Sequence, residues 1–556
     1  MPDVDILVIG GGIAGAGVAL EAARRGLDVM LVEARDFAWG SSSRSSKLVH
    51  GGLRYLREGA FGLTLESVRE RGRLLHDAPG LVEPQRFLMG HYEGRQPTRR
   101  TLGVGLAIYD AMAGRRTRSF HAPEEVRSLA PHLATDGLLG ASGYLDAKTD
   151  DARLVLRVLQ EAQRHGARVF NRAAVKSLLR AGDVDVPLSS LAADGQASVA
   201  PGTVVGARIE GAGFTGHVRA RCVVNATGFW ADGVRRGLGS PMLRPLRGSH
   251  LVFPLWKLPV AQSVSLLHPR DGRPVFATPW EGVALVGTTD LDHGDDPDVE
   301  PRISRDETAY LLEAVRAAFP RLDLRASDAI ASYAGVRPVV DDRSAGRDPS
   351  KAPREHVVRD EQGLVTVTGG KLTTFRVNAL DALRHAAPHL TARPQRAGFS
   401  STLTEGEKAH DDARAAMSAA DFAYSRGDEI LAPLPDTPAL AALPHGLRTR
   451  LLGRHGVQAA ALVREAAPSE LELVPGTSTP WAELHWALRH EQVRFLDDLL
   501  LRRTRLGLLL PDGAAALLPR LEPVAREALR WSAGEWRDQC ERYARLIDQC
   551  YTVPAP

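Results

Sequence analysis

The chain has 556 residues, 44% hydrophobic and 25% charged, a composition that excludes disordered and fibrous proteins and predicts two to four globular domains. Its 70 basic residues nearly balance its 67 acidic ones, a balance that rules out neither a nucleic-acid nor a membrane partner and strongly supports neither. We predict no nucleic-acid partner. The three scattered cysteines, Cys222, Cys540 and Cys550, form neither a disulfide framework nor a metal-ligand array, so we predict no metal and a reducing, cytoplasmic environment.

The predicted elements begin with a strand–turn–helix–strand unit. Residues 5–9 are a short apolar run, residues 13–25 carry apolar side chains at helical spacing, and residues 28–32 form a second apolar run. Further elements are predicted in chain order: mainly helix over 60–130, a helix over 151–165, a β-meander over 167–225, strands over 243–290, a strand over 364–368, a helix from about Thr373, and helices from about 395 to the end, with a loop at 433–445.

The turn of the first unit carries the spacing Gly10-x-Gly12-x-x-Gly15. Glycines at these positions permit a tight turn, a close backbone approach to a pyrophosphate, and close packing of the helix against the strand. The helix that starts at Ile13 directs its free N–H groups at the phosphates, and Glu33 can accept hydrogen bonds from ribose hydroxyls. The pattern predicts a dinucleotide site and does not distinguish FAD from NAD.

A second turn of small residues, Ala226-Thr227-Gly228, follows the predicted strand 222–225. Such a turn lets the backbone pass close to a bound cofactor, although many strands end in similar glycine turns. In a chain that opens with the first motif, it suggests an FAD site built from two segments.

A third motif reads Ser45-Ser46-Lys47-Leu48-Val49-His50-Gly51-Gly52-Leu53-Arg54-Tyr55-Leu56. It closely resembles the signature of the respiratory FAD-dependent glycerol-3-phosphate dehydrogenases, within the wider group of D-amino-acid-oxidase-like flavoproteins. Further runs resemble the same family in the same order, and together they cover nearly the whole chain: 150–154, 248–252, 287–290, 335–338, 369–374, 490–491 and 502–504.

The resemblance implies an α/β (α+β) fold, with a Rossmann-like FAD-binding domain interleaved with a β-sheet substrate-binding domain over 1–395 and an all-helical C-terminal domain over 396–556. The FAD-binding segments would be approximately 1–60, 145–235 and 355–395, and the substrate-binding segments approximately 61–144 and 236–354. The implied activity oxidises sn-glycerol 3-phosphate to dihydroxyacetone phosphate, with hydride transfer to FAD and electron transfer to a membrane quinone.

The resemblance also implies roles for individual residues. Guanidinium groups suit a phosphate dianion, and a neutral histidine suits removal of a hydroxyl proton near pH 7. The candidate catalytic residues are His50, Arg337 and His250. Either histidine could be the base, with His50 favoured as the group beside the flavin and His250 as a substrate contact, and the resemblance implies that Arg337 lies near the reacting carbon and the flavin. The substrate-binding residues would be Arg54, Tyr55, His250, Arg337, Arg359 and Lys371. The FAD-binding residues would be Gly10, Gly12, Ile13, Gly15, Glu33, Ser45, Ser46, Lys47, His50, Gly51, Ala226, Thr227, Gly228, Gly370, Lys371, Leu372 and Thr373.

The sequence leaves the electron acceptor and the membrane contact open. Alternatives are an oxidase that passes electrons from glycerol 3-phosphate to O2, an amine or amino-acid oxidase of the same fold, and a non-catalytic FAD-binding protein. No apolar run is long enough to span a bilayer, so we expect a peripheral protein on the cytoplasmic side of the cell membrane, or a soluble cytoplasmic one. The resemblance suggests a homodimer. Basic residues that could contact lipid flank the apolar segment 102–112 and lie in the tail: Arg95, Arg99, Arg100, Arg115, Arg116, Arg118, Arg494, Arg502, Arg503 and Arg505.

Overall fold

Two interleaved units make up the computed structural model, which describes residues 3–183, 200–211, 213–340, 355–390, 418–424, 429–435 and 437–554. The first unit comprises Met1–Ser42, Leu154–Pro245 and Arg337–Leu431, and the second comprises Ser43–Arg153, Leu246–Val336 and Ala432–Pro556. The predicted boundary between 395 and 396 lies outside the described residues, so the predicted domain division stays a prediction.

A sheet of eight strands forms the centre of the first unit. Its central strands include short apolar runs, such as the fully buried Val29–Val32, and this pattern is typical of parallel strands covered on both faces. The main path of the sheet runs in the order His356–Glu361, Leu364–Gly369, Phe214–Asn225, Asp3–Ile9, Val29–Val32 and Arg168–Phe170, and Val204–Gly211 and Ala173–Arg180 extend it from Phe214–Asn225.

Helices accompany this sheet as the β–α–β pattern of the sequence predicts. Ile13–Ala23 packs closely on Phe375–Leu390, because a Cβ atom on Gly17 would lie 2.8 Å from the Phe375 ring. Within the described residues, the unit also contains the helices Asp151–Arg164 and Ala231–Val234, with 3₁₀ turns at Ser41–Ser43, Gly228–Trp230, Leu372–Thr374 and Ala419–Phe422.

The second unit contains a ten-stranded, largely antiparallel sheet. Its main path runs in the order Leu291–Asp292, Leu243–Pro254, Val283–Gly287, Pro274–Trp280, Ser263–Leu267, Val82–Tyr92, Leu138–Thr149 and Leu48–Val49, while Ala331–Val340 pairs with Leu243–Pro254 and Ser119–His121 with Leu138–Thr149. The helices between these strands are Leu53–Arg57, Phe61–Asp77, Arg99–Ala113, Pro123–Leu129 and Arg305–Ala318, with 3₁₀ turns at Pro320–Leu322 and Ala326–Asp328.

The strand Val82–Tyr92 was not predicted within residues 60–130, which are otherwise mainly helical as expected. It pairs over its whole length with Leu138–Thr149, which lies about fifty residues later in the sequence. Charged and polar residues such as Glu83 and Gln85 interrupt its apolar pattern, so its strand conformation depends on this distant partner rather than on local periodicity.

The C-terminal segment is helical, as predicted, and it packs against the sheet of the second unit. Leu484 and Leu499 share a buried apolar cluster with Val252, Trp280 and Leu285. The predicted loop 433–445 contains one short helix. Across the described residues, no helix is both long and apolar enough to cross a bilayer. The segment contains Pro438–Ala441, His445–His455, Ala459–Glu465, Trp481–His490, Leu506–Leu509, Leu518–Leu529 and Ala533–Leu546, with π-helical turns at Asp498–Arg503 and Ile547–Tyr551 and 3₁₀ turns at Gly456–Gln458, Pro468–Glu470 and Pro511–Leu517.

Candidate functional site

Three turns of the first unit lie at the same edge of its sheet, because they follow the carboxyl ends of neighbouring parallel strands. The Gly10 amide donates to the Val32 carbonyl at 2.8 Å, and the Ala226 amide donates to the Ile9 carbonyl at 2.9 Å. Gly10 has a φ of 113°, and a Cβ atom there would lie 2.6 Å from the Ala226 carbonyl oxygen. The carboxyl edge of a parallel sheet is where ligands of such folds bind.

The helix Ile13–Ala23 begins directly at this edge. A Cβ atom on Gly15 would overlap the Gly10 carbonyl oxygen, so only glycine allows the helix to start so close to the strand. The Ser42 hydroxyl accepts a 3.0 Å hydrogen bond from the Ile13 amide. Gly12 occupies the N-cap position without a side-chain cap, which leaves the helix N-terminus suited to bind an anion.

The Glu33 carboxylate is fixed beside the same turn. One oxygen accepts a 2.7 Å hydrogen bond from the Gly11 amide and the other accepts one of 2.7 Å from the Arg35 amide. Burial raises the pKa of Glu33, and the two amide donors oppose the rise. Each oxygen retains a second lone pair, so the carboxylate fits a ribose whose hydroxyls donate to it.

Side-chain hydrogen bonds fix the two remaining turns. The Asn225 side-chain oxygen accepts from the Thr227 hydroxyl at 2.7 Å, and the Thr368 hydroxyl donates to the Gly228 carbonyl at 3.2 Å. Gly370 has a φ of 72° and precedes the turn Leu372–Thr374, for which Lys371 is the half-buried N-cap. Side chains are therefore absent or tied back at this edge, and the whole arrangement fits the pyrophosphate and ribose of a dinucleotide.

In the second unit, the buried carboxylate of Asp151 fixes the loop Ser43–Lys47 by hydrogen bonds. The Asp151 carboxylate accepts from the Ser45 amide at 2.9 Å, from the Ser45 hydroxyl at 2.7 Å and from Lys47 Nζ at 2.9 Å. Lys47 Nζ also donates to the Ser43 carbonyl at 2.5 Å. Lys47 is wholly buried and has a φ of 59°, so its ammonium group is bound inside the protein and only its backbone is available to a cofactor.

These contacts change the proton affinity of both partners. Burial lowers the pKa of Lys47 to about 7, and the nearby Arg505 adds to the shift while Asp151 opposes it. Burial raises the pKa of the Asp151 carboxyl, but the charges of Lys47 and then Arg505 outweigh burial and hold that pKa below its ordinary value.

His250 lies in the second unit and is 2% exposed. Its Nε2 is 2.9 Å from the Ser46 hydroxyl oxygen, and its ring stacks on the Tyr333 ring with centroids 4.6 Å apart. It pairs in register with Gly287, where any Cβ atom would overlap the imidazole. His250 is therefore held in one orientation by Ser46 and Tyr333.

A second buried carboxylate holds the backbone next to His50. Asp146 Oδ1 accepts from the Gly51 amide at 3.0 Å, from the Tyr109 hydroxyl at 2.6 Å and from an Arg71 guanidinium. His50 is half-buried and follows the strand Leu48–Val49. The sequence motif brings Ser45, Ser46, Lys47, His50, Gly51 and Tyr55 together with His250 in one unit.

The remaining predicted arginines lie in other elements. Arg337 is half-buried within the strand Ala331–Val340. Arg359 is exposed and pairs with Thr366, three residues before the turn at Gly369. Arg54 lies in the helix Leu53–Arg57. The roles proposed for these arginines stay predictions.

Sequence reasoning missed the carboxylates that hold the loops. Asp151 lay in a motif that resembled the family, but no local pattern indicated that it binds Ser45 and Lys47, about a hundred residues earlier. The expectation that the basic tail residues contact lipid is wrong for three of them: Arg502, Arg503 and Arg505 are each 1% exposed and form buried contacts.

Comparisons with known proteins find relatives over most of the chain. A family profile described as FAD dependent oxidoreductase matches residues 5–376, and one described as the C-terminal domain of alpha-glycerophosphate oxidase matches residues 412–535. The aerobic glycerol-3-phosphate dehydrogenase of Staphylococcus saprophyticus is 37% identical over 387 residues, which are 68% of this chain and 66% of that protein. The Staphylococcus epidermidis enzyme of the same name is 32% identical over 514 residues, which are 90% of this chain and 86% of that protein.

A solved structure is similar over almost the whole chain. It is the glycerol-3-phosphate dehydrogenase from Bacillus halodurans complexed with FAD, with a TM-score of 0.67 and 25% sequence identity. The similarity covers 98% of this chain and 94% of that one.

Replacing Gly15 with alanine tests the cofactor edge. The new Cβ atom would overlap the Gly10 carbonyl, so the helix must move away from the strand and we expect most of the bound flavin to be lost. The measurement is the ratio of visible flavin absorbance to protein absorbance after purification. Gly72→Ala is the control, since that helical glycine has open space around it. Alanine there should raise the free energy of unfolding by about 0.5–1 kcal/mol and leave the flavin content unchanged. Equal flavin content in both variants would contradict the expectation.

Replacing Lys47 with methionine tests its lowered pKa. Between about pH 7 and the ordinary lysine pKa of about 10.4, the unfolded chain binds more protons than the folded one. The free energy of unfolding of the wild type should therefore rise with pH by up to about 1.4 kcal/mol per unit, relative to Lys47→Met. Denaturant unfolding at several pH values measures this difference. Lys176→Met, at a half-exposed lysine, is the control, and a difference for Lys47→Met that does not change with pH would refute the prediction.

Proposed function

Because the chain belongs to the aerobic glycerol-3-phosphate dehydrogenase family of FAD-dependent oxidoreductases, we propose that it oxidises sn-glycerol 3-phosphate to dihydroxyacetone phosphate and passes the electrons to a membrane quinone. The observation that carries this proposal is the 32% identity over 90% of the chain, together with the profile match over residues 412–535 in the C-terminal helices. A flavoprotein that shared only the FAD-binding fold would not resemble the relatives in that segment.

The reaction removes a hydride from C2 of the substrate and a proton from its C2 hydroxyl. Bound FAD supplies the hydride acceptor, and the chain binds, orients and deprotonates the substrate. We assign the phosphate to Arg54 and Lys371, cations of the matched motifs, because guanidinium and ammonium groups suit a dianion. We assign Arg337 to the neighbourhood of the reacting carbon.

We assign removal of the hydroxyl proton to His50 and a substrate contact to His250. His250 already shares a hydrogen bond with Ser46 and stacks on Tyr333, which supports a fixed contact role. His50 is half-buried, and the amide of the next residue, Gly51, donates a hydrogen bond to Asp146. This bond fixes the backbone beside His50, as the position of a general base requires.

An oxidase that uses O2 is the alternative within the same family group. The profile that matches residues 412–535 takes its description from an alpha-glycerophosphate oxidase, so the C-terminal helices are compatible with either acceptor.

Anaerobic titration of the purified flavoprotein tests the proposal. Glycerol 3-phosphate should bleach the visible flavin band, whereas glycerol and D-amino acids should not, because glycerol lacks the phosphate and amino acids present a carboxylate instead. A soluble quinone analogue and O2 are then added separately to the reduced protein. Faster reoxidation by the quinone supports the dehydrogenase, and faster reoxidation by O2 with peroxide formation supports the oxidase. No bleaching by glycerol 3-phosphate would refute the substrate.

Asparagine variants separate the two histidines. For His50→Asn we expect kcat to fall by about 10²–10⁴-fold, the usual contribution of a general base, with little change in KM. For His250→Asn we expect mainly an increase in KM, because the lost group is a substrate contact. Steady-state kinetics across pH provide the measurement, and a larger fall in kcat for His250→Asn than for His50→Asn would reverse the assignment.

We further propose that the helix Arg99–Ala113 docks on anionic lipid, since a quinone acceptor requires a membrane surface. Its inner face buries Leu102, Leu106 and Tyr109, while Val104 is 64% exposed and Ile108 37% exposed. Exposed arginines flank the helix at both ends: Arg95, Arg99 and Arg100 before its apolar segment and Arg115 and Arg116 after it. An apolar face between cations suits the interface of a negatively charged bilayer.

Co-sedimentation with phosphatidylglycerol vesicles tests this docking face. The double variant Val104→Glu, Ile108→Glu should bind at least about tenfold more weakly, because two carboxylates would have to enter the lipid interface. Val299→Glu is the matched control, since Val299 is 59% exposed and lies outside this helix. Equal binding by the double variant and the wild type would exclude this helix as the contact.

A further inference from the structure

A buried arginine from the C-terminal helices ends on the backbone of the loop Ser43–Lys47. Arg505 Nη2 donates a 2.6 Å hydrogen bond to the Ser43 carbonyl, 462 residues earlier in the sequence, and lies 3.4 Å from Asp151 Oδ1. Arg505 Nη1 donates to the Leu501 carbonyl at 2.6 Å. The planar guanidinium is therefore fixed between its own helical turn and the loop.

The loop depends on such side-chain contacts, because its residues after Ser43 lie outside regular secondary structure until Leu48. The Tyr333 hydroxyl donates to the Ser45 carbonyl at 2.9 Å. Lys47 Nζ and Arg505 Nη2 converge on the Ser43 carbonyl. One hydrogen-bond donor is enough to satisfy a buried carbonyl. The second donor to the Ser43 carbonyl therefore mainly fixes the orientation of this peptide group.

The loop in turn holds the candidate substrate histidine. Ser46 lies between the two anchored carbonyls of Ser43 and Lys47, and the Lys47 carbonyl accepts from the Thr149 amide at 2.9 Å. The Ser46 hydroxyl oxygen is 2.9 Å from His250 Nε2. Any displacement of the loop backbone would move Ser46 away from His250.

We propose that Arg505 is a positioning residue for substrate oxidation, which fixes the loop Ser43–Lys47 and thereby sets Ser46 against His250. The identity of the reaction rests on the proposed function, whereas the anchoring of the loop does not. A lysine at 505 would keep the charge, but its single ammonium could not bridge the Leu501 and Ser43 carbonyls as the guanidinium fork does.

The test compares Arg505→Lys with Arg450→Lys in the flavin-loaded protein. Arg450 is also a buried arginine of the C-terminal segment, and it pairs with Glu483 at 2.8 Å and Glu281 at 2.7 Å. For Arg505→Lys we expect amide hydrogen exchange of residues 43–50 to accelerate. We also expect the anaerobic rate of flavin reduction by glycerol 3-phosphate to fall about tenfold, with a smaller change in KM.

Arg450→Lys should leave the exchange of residues 43–50 and the reduction rate unchanged, although it also disturbs buried ion pairs. Wild-type exchange and rate in Arg505→Lys, or equal changes in both variants, would overturn the proposal. If glycerol 3-phosphate does not reduce the wild-type flavin, the proposed function fails and the exchange measurement alone decides.

If Arg505→Lys does not fold, Tyr333→Phe decides instead, since it removes only the hydroxyl that anchors the Ser45 carbonyl. Faster exchange of residues 43–50 together with slower flavin reduction would then support positioning through the loop. Wild-type exchange and rate in Tyr333→Phe would overturn it.

Discussion

The buried carboxylate of Asp151 is the contact on which the candidate site of the second unit depends. It accepts hydrogen bonds from the amide and hydroxyl of Ser45, from Lys47 Nζ and from the Ala152 amide. A carboxylate removed from water is stable as an anion only with such partners. Without it, Lys47 would lose a carboxylate at 2.9 Å and Arg505 one at 3.4 Å, so the same group maintains the shape of the loop and contributes to its charge balance.

The candidate binding regions of the two units differ in whether side chains are absent or present. In the first unit, side chains are absent where the backbone must come close, as at Gly10 against Ala226 and at Gly15 against Gly10. In the second unit, polar side chains are present and immobilised, as with His250 between Ser46 and Tyr333. The first arrangement suits phosphates, which backbone amides can bind, and the second suits chemistry that needs one side chain in one orientation.

The sequence predicted correctly those features that depend on interactions between residues close together in the chain. The glycine spacing at 10–15, the helix Ile13–Ala23 and the strand Val29–Val32 follow from short-range patterns, and the fold class is confirmed. The strand Val82–Tyr92 was missed because its partner is a distant strand. Lys47 was assigned to the cofactor by its motif, but the bond from its ammonium to Asp151 spans 104 residues, and no local pattern reports such a pair.

The distance along the chain between Ser43 and Arg505 has a consequence for how the protein is made. A ribosome adds roughly 5–20 residues per second, so the 462 residues that separate them take on the order of half a minute to a minute and a half to synthesise. During that time the Ser43 carbonyl lacks its hydrogen bond from Arg505, although the glycine turn at residues 10–15 has already been synthesised. A residue that is translated 462 positions after Ser43 therefore completes the hydrogen bonding of the loop Ser43–Lys47.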